Sequence, residues 1–214
     1  TAKGFSKNII KNFFTPFFSG IFLEDELYTS SRMFEFVFKM FGEGLALMPK
    51  GGIEEISKQL KNKLKKTKIQ LNTVVSEIKD KEIILSDDKK IKTHYTIVAS
   101  EPSNLVRGLK NQKVEWKSCQ NLYFTCSERI YKKAFIGLVS NQESLINNIF
   151  YPTSMPANKK GGSELISVTV VKDHDLPEKE LIERVKKELR KECKIENVNF
   201  LKLYSIPKAL PNLN

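Results

Sequence analysis

Residues Met48–Leu60 read MPKGGIEEISKQL, and they place two adjacent glycines at the mouth of an amphipathic helix in a chain that has ten glycines in all. Glycine opens backbone conformations closed to other residues and allows another group to approach the main chain. A glycine pair there marks either a tight turn or a ligand approach, and the turn is the simpler reading. Beyond it, Ile53, Ile56, Leu60 and Leu64 recur on one helical face. The segments KIQL (68–71), VVSEI (74–78), EIILS (82–86) and YTIVAS (95–100) then read as four short strands, with turn residues at Asp80 and in SDDKK (86–90). The last strand ends in Ala99, Ser100, Glu101 and Pro102, at a carboxyl end of the kind where ligands collect in open α/β sheets.

Outward from this unit, the first 47 residues hold ten of the fourteen phenylalanines. In RMFEFVFKMF, Met33, Phe34, Val37, Phe38 and Phe41 form a helical apolar stripe, whereas Pro16 and Gly20 are expected to break NFFTPFFSGIF into a loop or short turns. This aromatic wall is either core or the lining of a pocket for an apolar substrate. Arg32 and Lys39 beside it read as solvated helix residues. In the last third, NLYFTCS, FIGLVS, LINNIFY, ELISVTVV and VNFLKLYSI read as strands, and one helix interrupts them. Pro177 suits that helix's first turn, Glu178 and Glu180 complement its dipole, and Leu181, Ile182, Val185 and Leu189 supply its buried stripe. The stretch TSMPANKKGGSE (153–164) reads as a polar loop.

The formal net charge of +11 would suit nucleic acid or an anionic membrane. The basic run KNKLKKTKIQ (61–70) nevertheless carries Leu64 and Ile69 at core-like positions and no RNA-binding aromatic motif, so nucleic-acid binding is not expected. Cys119, Cys126 and Cys193 lack metal or disulfide spacing and read as reduced residues of a cytoplasmic protein. His94 and His174 are isolated, so neither a metal site nor histidine catalysis is expected.

The succession TSSRMFEFVFKMFGEGLALMPKGGIEEISKQL, IQLNTVVSEI, a hairpin, THYTIVASEPS and finally LYSIPKALPNL resembles flavin-dependent oxidoreductases of the amine oxidase and phytoene desaturase superfamily. The resemblance implies an α+β fold: a mixed β-sheet with packed helices as the substrate-binding domain, plus a small part of an FAD/NAD(P)-binding α/β lobe. Its zones would be a Phe-rich helical part (1–47), a portion of the FAD-binding lobe (48–110) and a mixed-sheet substrate domain (111–214). It also implies that the main chain of Val75, or of Val74 one register step away, contacts the adenine end of FAD. Gly51 and Gly52 would then serve the helix entrance of that lobe, and Ser100 and Pro102 would close it. The family's G-x-G-x-x-G is missing: GEGLAL (42–47) has leucine at the third small position and follows a helix. The chain therefore reads as a piece of a longer protein that by itself holds FAD weakly or not at all. No catalytic acid, base or nucleophile is expected, since the flavin takes the hydride. The implied partners are an apolar small-molecule substrate and a membrane surface touched peripherally. The other reading is a non-catalytic module for a hydrophobic ligand or protein partner.

Overall fold

A computed structural model describes residues 4–109, 114–155 and 161–212; the expected domain boundary at 110–111 and part of the polar loop, 156–160, lie outside the described residues. The chain forms two compact units, the first made of residues 1–53 and 115–214 and the second of residues 54–114.

The first unit is built on a five-stranded antiparallel sheet. Its strands are β4 (Trp116–Cys126), β5 (Ile136–Leu138), β6 (Ile146–Phe150), β7 (Glu164–Val170) and β8 (Asn199–Pro211), in the order β5-β6-β7-β4-β8. Helix α5 (Glu178–Cys193) covers one face. It forms because Leu181, Val185 and Leu189 fall four residues apart, and all three are fully buried against Leu122, Phe124, Ile166 and Val168. Pro177 is the N-cap, acidic residues occupy the first turn, and Lys194 ends the helix in a left-handed conformation. Truncating any one of these core side chains to alanine costs about 2–5 kcal/mol.

The N-terminal segment departs from expectation, because Pro16 and Gly20 do not break it. Helix α1 (Lys7–Ile9) runs through a π turn (Ile10–Phe14) into α2 (Thr15–Phe22). The π turn, closed by Thr15 N–H on the Ile10 carbonyl, falls just before the proline, which has no N–H to give and needs room for its ring. Gly20 is where α2 crosses β6: a Cβ there would lie 2.5 Å from Asn147 Oδ1. Helix α3 (Ser31–Glu43) forms as expected, but its stripe does not face inward as expected: Phe34 and Val37 are half-buried, Met33, Phe38 and Phe41 are exposed, and the Phe34 and Phe38 rings meet Phe14 and Phe18 at 4.7–6.1 Å.

The second unit holds helix α4 (Glu54–Lys63) and a three-stranded antiparallel meander of β1 (Val75–Lys79), β2 (Glu82–Leu85) and β3 (Lys90–Lys92). The α+β class is as expected, and all the strand pairs named here are antiparallel rather than mixed. Two expected strands do not form: 68–71 and 95–100 join no ladder, and Ile69, Leu71, Tyr95 and Ile97 stand in solvent, Tyr95 at 94% and Ile97 at 93% exposure. A β pattern specifies which side chains share a face, and it becomes a strand only when a neighbour accepts its backbone hydrogen bonds.

Candidate functional site

Strand alternation gives the sheet of the first unit a second face. Leu122, Phe124 and Cys126 point into the core with α5, so Asn121, Tyr123 and Thr125 point the opposite way. Register places Thr169 and Tyr204 on either side of Asn121, and Ser167 and Lys202 on either side of Tyr123. The face is polar and aromatic. Ser167 Oγ donates to Asn121 Oδ1 at 2.9 Å, Tyr123 and Tyr204 meet edge to face at 5.8 Å, and the Lys202 ammonium lies 5.8 Å above the Tyr204 ring. Tyr204 is 53% exposed, so this end of the sheet is open.

The other end is closed by α2 and the loop after it. Asn147 Nδ2 donates to the Pro16 carbonyl at 3.0 Å, which fixes α2 against β6. Beyond α2, the nearly buried Glu24 carboxylate accepts from Thr29 N–H at 3.0 Å, from Thr29 Oγ at 2.6 Å and from Lys117 on β4. Burial raises the pKa of Glu24, but the hydrogen bonds from Lys117 and Thr29 outweigh it, and the net shift is downward from the ordinary value of 4.5. Lys172 pairs with Asp25 at 3.6 Å. Beside these groups lies a cleft of about 220 Å³, lined by Thr15, Ser19, Glu24, Ser144, Asn147 and Lys172 among others.

This arrangement offers a ligand an aromatic and hydrogen-bonding wall rather than an acid–base pair. The profile of the family described as flavin containing amine oxidoreductase matches residues 1–202. The chain belongs to that family. No curated protein sequence matches it. Among solved structures it is similar to a reduced UDP-galactopyranose mutase, at 15% identity and a TM-score of 0.67, over 98% of this chain and 55% of that one. It is also similar to the protein PF1083 from Pyrococcus furiosus, at 15% identity and a TM-score of 0.58, over 76% of this chain and 44% of that one. A further match, assigned as a protoporphyrinogen oxidase from Exiguobacterium, has 16% identity and a TM-score of 0.53, over 83% of this chain and 43% of that one. These likenesses carry the fold, and the chain spans about half the length of the structures it matches.

Within this flavin containing amine oxidoreductase chain, the residues expected at the cofactor fall in separate units. Gly51 and Gly52 close the first: Gly52 N–H donates to the Pro49 carbonyl at 2.9 Å, and its φ of +96° is the reason for glycine, since nothing lies within 4 Å of a Cβ there. Val74, Val75, Ser100 and Pro102 belong to the second. The Val74 carbonyl accepts from Ser86 N–H at 2.9 Å, and Val75 opens β1 opposite Leu85, beside an irregularity in the ladder. The Pro102 carbonyl accepts from Leu105 and Val106 N–H, and that turn returns the chain to β1, where Ile78 N–H donates to the Leu105 carbonyl at 2.8 Å.

Sequence reasoning passed over Asn121, Tyr123, Ser167 and Tyr204. The signal was available in NLYFTCS and ELISVTVV, whose alternate positions are polar on the face away from the core. His174 is held structurally, with Nδ1 accepting from Leu176 N–H at 3.2 Å and Nε2 hydrogen-bonded to Gln120 at 2.7 Å. All three thiols are free, and burial pushes Cys193 up to about 11 and raises Cys119 and Cys126.

Proposed function

We propose that this chain supplies the substrate-binding body and part of the FAD-binding lobe of a flavin-dependent oxidoreductase acting on an apolar substrate. The observation that carries the reading is the unequal treatment of the two sheet faces in the first unit. One is sealed by α5, while the other presents the edge-to-face pair Tyr123 and Tyr204 with the oriented Asn121, an aromatic surface that carries polar groups. On this reading the tyrosine pair and the phenylalanine layer bind and shield an apolar substrate, and Asn121, held by Ser167, orients it.

The second unit fits the adenine end of FAD in one respect. Residues 68–71 belong to no strand and precede the left-handed Asn72 and β1; on this reading their main chain would read the planar heterocycle, since the Val74 carbonyl is already taken by Ser86 N–H. A phosphate cradle does not come from GEGLAL, since Gly42 lies in the last turn of α3 rather than at the start of a helix. Flavin, when bound, would accept the hydride; the residues of this chain would position the substrate and exclude water.

The test is the absorbance spectrum of the full-length protein that carries this chain, purified without added cofactor. Flavin bands that release FAD on denaturation support the reading. A colourless protein that takes up no added FAD overturns it and leaves a binding module for hydrophobic ligands. For the substrate wall, Tyr123→Lys is expected to weaken binding of an apolar fluorescent probe such as Nile red by about tenfold, and unchanged binding would remove that face from the site.

A further inference from the structure

An irregularity in β8 re-aims one charged side chain. Phe124 of β4 pairs with Phe200 and Tyr123 pairs with Lys202, so one step along β4 corresponds to two along β8, and Leu201 is the extra residue. Regular alternation would put 200 and 202 on the same face. The bulge breaks that parity: Phe200 and Leu203 both pack on the core, and Lys202 is turned to the open face opposite Tyr123. Its ammonium lies back over the Tyr204 ring, at 5.8 Å. Among the described residues no carboxylate pairs with it. Around Asn121 and Tyr123 the register supplies Ser167, Thr169, Tyr204 and Lys202, of which Lys202 alone is charged.

The hydrogen-bonding groups of the face have the same sign. Asn121 Oδ1 is occupied by Ser167 Oγ, which leaves the Asn121 amide nitrogen to donate. Tyr123 and Tyr204 contribute phenolic O–H groups, and Lys202 is a donor with no lone pair to offer. Donors and one positive charge beside an aromatic pair suit a ligand that is apolar over most of its length and ends in an acceptor-only group. One lysine balances one negative charge, which selects a carboxylate over a doubly ionised phosphate ester. We propose that the substrate of this face is an apolar carboxylic acid, with its body on Tyr123 and Tyr204 and its carboxylate held by Lys202 and Asn121. The proposal rests on the reading of this face as the substrate wall and adds to it the charge of the molecule bound there.

Two probes that differ at one end separate the parts: pyrenebutyrate carries the carboxylate, and pyrenebutanol does not. Both are titrated by fluorescence against the full-length protein that carries this chain. The expected result is binding of the butyrate about three- to fivefold tighter than the alcohol at low ionic strength, a preference that salt weakens. Lys202→Gln should bring the two probes to the same affinity, and Lys202→Arg should keep the preference. Lys179→Gln, on α5 at the other face, lowers the net charge of +11 by the same amount and should leave the preference as it was. Tyr204→Ala should weaken both probes by about fivefold. Equal affinity for the two probes in the unaltered protein, a preference that survives Lys202→Gln, or the same loss from Lys179→Gln overturns the carboxylate inference and leaves the aromatic wall standing. Failure of both probes to bind, or indifference of both to Tyr204→Ala, overturns the wall reading and the inference with it.

Discussion

The sheet of the first unit and the unpaired segments 68–71 and 95–100 of the second carry similar sequence signals and have different fates. In β4 and β7, alternation is converted into burial: Leu122, Phe124, Ile166 and Val168 are wholly inaccessible, and α5 seals them. In the second unit Leu85 is the one buried apolar residue among those described, and Ile69, Leu71, Val74, Tyr95 and Ile97 all face solvent. Patterning records which residues would share a face, and burial requires a second layer to meet that face. A three-stranded meander that buries so little is marginal by itself.

The sharpest way to break this comparison is to truncate one side chain in each unit. Phe124→Ala should cost about 3–5 kcal/mol, and Ile97→Ala less than about 0.5 kcal/mol. Urea unfolding followed by circular dichroism measures both. Comparable losses would mean that Ile97 is packed and that the two units are not different in kind.

Next in size is a carboxylate that ties the layers of the first unit together. Glu188 on α5 is 6% exposed, and its Oε2 accepts from Ser144 Oγ at 2.7 Å, Leu145 N–H at 2.9 Å and Ile146 N–H at 3.2 Å, while Oε1 accepts from Arg184 at 2.6 Å. It satisfies the backbone where β6 begins. Glu188→Ala leaves those donors buried and unpaired and should cost about 3 kcal/mol in thermal unfolding. A loss below about 1 kcal/mol would show that water replaces the carboxylate.

What could be read from the sequence divides along the same line. The five strands of the first unit and α5 were legible, because each has a partner within the chain and its local pattern agrees with its tertiary role. The continuity of α1 and α2 through Pro16 was not, since a π turn is a backbone adjustment that no residue type announces. Segments 68–71 and 95–100 were read as strands correctly in pattern and wrongly in outcome, because no strand among the described residues accepts their hydrogen bonds. Of the site, the phenylalanine layer could be seen in composition. The tyrosine pair needed the register of β4 against β8, which brings Tyr123 and Tyr204 together across 81 positions of sequence.

A smaller effect is expected from Glu24, and its pH dependence has a definite sign. Its folded pKa is lowered below 4.5, with burial opposing and the Lys117 and Thr29 hydrogen bonds prevailing. A depressed carboxylate contributes stability that is present above its unfolded pKa and is lost as pH falls through the folded value. Glu24→Gln should therefore cost about 1–3 kcal/mol at pH 7, with the difference from wild type narrowing as the pH drops below 4.5. A difference that stays constant from neutral pH into that acid range would show that the interaction of Glu24 with Lys117 does not depend on its charge.

The smallest effect on stability tests the second unit itself. Tyr95→Ser with Ile97→Ser removes two nearly fully exposed apolar side chains and should move the midpoint of unfolding by less than about 0.5 kcal/mol. Hydrogen exchange on the unaltered protein adds the structural half of the argument. Backbone amides of 96–99 should exchange close to the rate of an unfolded chain, while those of 167–169, flanked on both sides by β4 and β6, should be protected up to the global stability of their unit. The contrast follows from pairing alone, because Val98 and Val168 belong to the same residue type and both sit in apolar alternation. Protection at 96–99 in the full-length protein, and not in these 214 residues, would mean that the missing neighbour is supplied from outside the chain. Protection in both would mean that the segment finds a partner within it, and the distinction between the two units would then be one of degree.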